Sequence, residues 1–69
     1  MPLTLARQGE VNFIKKISGK EEVKRYLESL GFVAGSSVTV ISENNGSIIV
    51  NVRESRIAIS RELANKILI

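Results

Sequence analysis

The chain has 69 residues, 43% hydrophobic and 25% charged, with ten basic and seven acidic side chains for a net charge of +3. That length suits one domain over residues 1–69, near the size at which a single core only just offsets chain entropy. It contains no cysteine, histidine, tryptophan or aspartate, which excludes disulfides, thiolate or imidazole metal sites and the usual nucleophile–base pairs. No apolar run approaches the roughly 20 residues of a membrane helix. MPLTLARQGE has no apolar stretch of the secretory kind, so the expected location is cytoplasmic.

In chain order, Gly9 to Ile17 (GEVNFIKKI) places Val11, Phe13 and Ile17 on one face of a strand, with Ile14 falling on the other beside Asn12 and Lys16, a pattern that fits a strand with a bulge. Ser18 to Gly31 reads as a helix. Ser18 and Glu21 have the spacing of a capping box, and Val23, Tyr26, Leu27 and Leu30 recur at i, i+3, i+4 and i+7. Gly31 is placed to end the helix in the left-handed region, with Leu27 and Phe32 as the hydrophobic pair of a Schellman motif. Gly35 then marks a turn.

From Ser37 the period changes to two. Val38 and Val40 define a strand, and Asn45-Gly46 reads as the tip of a type I′ hairpin. Ile48, Val50 and Val52 are expected on the buried face of the next strand, followed by a short turn at Glu54-Ser55 and a third strand using Ile57 and Ile59. Arg61 to Lys66 fits one or two helical turns that bury Leu63 and Ala64. Ile67 to Ile69 reads as a closing strand. Five strands and one long helix between the first and second, with no room for crossovers, point to a mainly β fold, a small antiparallel barrel whose closure protects Ile- and Val-rich edges.

The residues offer little for catalysis. Eight serines have no histidine to activate them, and Glu21-Glu22, the one adjacent acidic pair, is explained by a first helical turn. No catalytic, cofactor-binding or metal-ligating residue is assigned.

Taken together, Leu3, Leu5 and Gly9 (L-x-L-x-x-x-G), Arg25 to Phe32 (R-Y-L-x-x-L-G-F), Gly35 with Val38 and Val40, and Ile57 to Ile67 (I-A-I-S-x-x-L-A-x-x-I) resemble a FeoA-type domain over nearly the whole chain. The SH3-like C-terminal domain of DtxR-type repressors is similar, but no DNA-binding helices precede this segment. The pattern departs from the family at Ala34, where proline usually precedes the second glycine. The resemblance implies an SH3-like β-barrel in its stand-alone form. It also implies a non-catalytic cytosolic role in bacterial ferrous iron uptake, exerted by contact with the FeoB transporter, whose cytoplasmic part binds GTP. Composition agrees that an iron-linked role should run through a partner, since iron-binding imidazole and thiolate are absent.

The competing class is a small basic barrel that binds nucleic acid. Acids interrupt every basic group, and Lys24 sits at helical spacing from Glu21 and Glu28, where ion pairing accounts for it. Phe13, Tyr26 and Phe32 each have an expected core or cap role, which leaves no stacking platform. Partner-protein binding therefore ranks first, with Gly31, Phe32, Val33, Ala34 and Gly35 as the candidate surface. Val33 and Ala34 have no evident core assignment.

Overall fold

A computed structural model describes residues 1–69. A single 3-10 turn, Leu3–Leu5, precedes strands β1 (Val11–Phe13) and β2 (Lys16–Ile17). Helix α1 (Glu21–Ser29) leads into strands β3 (Ser37–Asn44), β4 (Ser47–Val52) and β5 (Ser55–Ser60), then the helical turn α2 (Arg61–Ala64) and strand β6 (Ile67–Leu68).

The strands form two antiparallel sheets, one ordered β1-β3-β4-β5 and one pairing β2 with β6. The expected first strand is thus two strands, and α1 follows the second of them. The break is at Ile14. Its N–H donates to Ser36 C=O at 2.9 Å and its C=O accepts from Gly35 N–H at 2.8 Å, after which Lys15 N–H donates to Leu68 C=O at 2.7 Å. Ile14 turns inward and is buried, so the chain changes sheets there. The same break corrects the expectation of a closed barrel, because no ladder runs from β1 through β2 to complete a circuit.

The core follows the alternation of the hairpins. Val38, Val40, Ile48, Val50, Val52 and Ile59 are buried from the large sheet, with Leu3, Leu27, Phe32, Ala64, Ile67 and Ile69 above them. Every buried side chain is apolar, so no side chain in the core needs a hydrogen-bond partner. Register slips between Val40 and Ser42, a bulge that leaves Ile41 extra on β3.

Three local expectations change. At the hairpin tip, Asn44 pairs with Ser47 as expected, yet only Gly46 has a positive φ (+79°), so the turn is not type I′. The N-terminus of α1 is capped at Lys20 without a side-chain bond, not by Ser18. Gly19 at φ +104° separates Ser18 from the helix, and the Ser18 hydroxyl instead donates to Lys66 C=O at 3.2 Å. Finally, Tyr26 is 54% exposed. It lies about 100° round the helix from Leu27, which takes the only fully buried position on α1.

Candidate partner-binding surface

The helix end forms as its sequence dictates. Gly31 adopts φ +107°, its N–H donates to Glu28 C=O at 3.0 Å, and Phe32 N–H donates to Leu27 C=O at 3.0 Å. These are the two bonds of a Schellman motif, and they carry Phe32 into the core beside Leu27. Phe32, included in the candidate surface, is fully buried and therefore supports that surface from below without touching a partner.

The chain then makes a second turn. Ser36 N–H donates to Val33 C=O at 3.1 Å across Ala34 and Gly35, and Gly35 has φ +89°. A positive φ at the third position is the mark of a type II turn, whose second position favours proline. Ala34 holds that position, where the resemblance leads us to expect proline, and the turn forms without it. Ala34 and Gly35 are exposed and Val33 half-buried. The two bonds from Ile14 described above clip this turn to the end of β1.

That clip brings in residues the sequence placed elsewhere. Phe13 pairs with Ser37 and is 65% exposed, and Val11 pairs with Thr39 and is 58% exposed. Both were expected to face the core. Ile14 takes the inward position instead, which puts its odd-numbered neighbours on the outer face next to the Val33–Ser36 turn. An apolar strand so short, followed at once by Lys15-Lys16, was the available signal that it lies at a rim.

The charges around this surface are solvated. Glu21 lies 3.9 Å from Arg25, not paired with Lys24, and Glu43 accepts from Arg61 at 3.0 Å. No three acidic side chains come together in the manner of a metal site, and no pocket opens on the surface. No helix is long and apolar enough to cross a membrane. What the arrangement offers is a rigid, mildly apolar rim: Val33, Ala34 and Gly35 beside Phe13 and Val11.

Comparison with known proteins agrees with this architecture. The FeoA domain family model matches residues 1–69. The chain is 40% identical over 68 residues to a Methanocaldococcus jannaschii protein that carries the name "Putative Fe(2+) transport protein A", covering 99% of this chain and 83% of that protein. Among solved structures, an iron uptake regulatory protein, FeoA, superposes with a TM-score of 0.88 at 26% identity, over 97% of this chain and 91% of the other. The zinc-complexed FeoA of Stenotrophomonas maltophilia, described as a prokaryotic SH3 domain protein, is 20% identical with a TM-score of 0.85, over 99% and 87% of the two chains. At that identity it speaks for the fold, which is SH3-like.

Proposed function

The chain belongs to the FeoA domain family, and we propose on that footing that it is a cytoplasmic, non-catalytic accessory protein of ferrous iron uptake. It acts by docking on a FeoB-type transporter at that transporter's cytosolic GTP-binding part. The observation that carries this reading is the match of the family model to residues 1–69, joined to 40% identity with a protein named for Fe(2+) transport. Residue chemistry supports contact over metal handling: with no histidine, cysteine or aspartate, the chain lacks the donors that bind iron well.

The docking surface is the turn formed by Val33, Ala34 and Gly35, held in shape by Gly31 and the buried Phe32. Two consecutive turns fix its backbone through hydrogen bonds of 2.8 to 3.1 Å, so little ordering cost attends binding there. The test is capture of the transporter's cytosolic part, with and without GTP, by the wild type, Val33→Glu and Ala34→Glu. Both variants should weaken capture about tenfold or more, as a charge set into an apolar contact does. Ala34→Glu, being exposed, should also unfold within about 0.5 kcal/mol of the wild type. Undiminished capture by both variants overturns this surface, and no capture by the wild type overturns the partner.

A further inference from the structure

Strand β1 is open in two ways at once. Its side chains Val11 and Phe13 stand on the outer face, largely exposed. Its backbone also has a free side, because β1 is an end strand bonded to β3 alone. In an antiparallel ladder only alternate residues bond across the pair. Ile14 donates to Ser36, so the bonded partner two residues back is Asn12 opposite Val38, and Val11 and Phe13 turn their N–H and C=O groups outward. Exposed apolar side chains and unpaired backbone groups on the same residues make a template for strand addition.

The occupant is written in the strand itself. Antiparallel pairing of β1 with another β1, centred on Asn12, sets Val11 opposite Phe13 twice. The outward groups of those residues then meet as two bonded pairs, giving four hydrogen bonds, and opposite residues share a face, so each Val11 lies against a Phe13. The flanking charges do not oppose this register, because Glu10 of each copy falls opposite the apolar Ile14 of the other and Lys15 falls opposite Gly9, so no like charges meet. The other end of the large sheet, β5, presents Arg56 and Ala58 on its outer face, which set no aromatic against a second copy.

We infer that β1 is the interface of a two-fold homodimer in which two four-stranded sheets become one of eight strands. The contact is small, so association is weak and depends on protein concentration. It engages β1 alone and stands whether or not the neighbouring turn binds a transporter.

Sedimentation velocity between about 10 µM and 1 mM, the span in which a contact below standard interface size operates, should show a monomer–dimer equilibrium for the wild type. Phe13→Glu should raise the dissociation constant at least about tenfold, the scale of an aromatic anchor replaced by a charge. Val11→Pro removes an outward N–H while leaving the bonds to β3, since proline is tolerated on an edge, and should do the same with an unchanged far-ultraviolet spectrum. A wild type that stays monomeric throughout overturns the proposal, as does a dimer indifferent to both Phe13→Glu and Val11→Pro.

Discussion

The chain has two phenylalanines, and they occupy opposite extremes: Phe32 at the helix end is 0% exposed and Phe13 on the edge strand is 65% exposed. Both follow a stretch of apolar periodicity that reads as core. The difference lies in what fixes each. Phe32 is carried inward by a local backbone device, the left-handed Gly31 and its two bonds, so its place is decided within six residues. Phe13 belongs to a strand whose faces are decided by Ile14, and Ile14 is held by residues more than twenty positions away. Alternation states which residues share a face, and only a neighbour states which face is covered.

Replacement by alanine should separate the two rings most clearly. Phe32→Ala is expected to cost about 3 to 5 kcal/mol, enough to unfold much of so small a domain, whereas Phe13→Ala should change stability by less than about 0.5 kcal/mol. Urea denaturation of both variants measures the gap, and equal costs would contradict the assigned faces. The helix end can be weakened without touching its ring. A Cβ at Gly31 would lie 3.6 Å from Arg53 Cδ and 3.8 Å from Val52 Cγ1, ordinary contacts, but φ is +107°. Gly31→Ala should therefore cost about 1 to 2 kcal/mol from backbone strain alone, and Gly31→Val more, because β-branched residues fit positive φ poorly. An unchanged melting temperature in Gly31→Val would disprove the cap.

Arg53, whose side chain lies over Gly31, is the one non-glycine residue with positive φ, at +56°. Arg53→Gly removes that strain and should stabilise the fold by up to about 1 kcal/mol, a rise in melting temperature that reaches about 4 to 8 °C only at that upper value for a domain of this size. A fall would mean that the arginine stem contributes more by packing on the helix end than its backbone costs. That outcome would extend the tightly fixed region to the β4–β5 turn.

Legibility in the sequence follows the same division. The Leu27-Gly31-Phe32 ending, the hairpin centred on Asn45-Gly46, the inward set Ile48, Val50 and Val52, and the burial of Ala64 and Ile67 all rest on short-range rules and stand as read. What was not legible depends on distant partners. Ser18 has the spacing of a capping box with Glu21, but its hydroxyl meets Lys66, 48 residues on. The strand from Gly9 to Ile17 divides because Lys15 N–H donates to Leu68 C=O and Lys16 pairs with Leu68. Of the candidate surface, the exposure of Ala34 and Gly35 could be read from glycine punctuation. The parity of Phe13 and Val11 matched a buried face, and only the Lys15-Lys16 that follows pointed to a rim.

The pairing that divides that strand also joins the two ends of the chain. Met1 and Ile69 exchange hydrogen bonds of 2.9 and 2.7 Å, and Pro2 bridges to Leu68. Closing such a contact joins residues 68 positions apart, whereas the β3–β4 and β4–β5 hairpins close loops of two residues. Folding should therefore be ordered in time, hairpins early and the β2–β6 sheet last, at the pace set by that late closure. Amide protons of Lys15, Ser18 and Ile69, which donate to Leu68, Lys66 and Met1, should in consequence exchange through partial openings that leave Val50 protected.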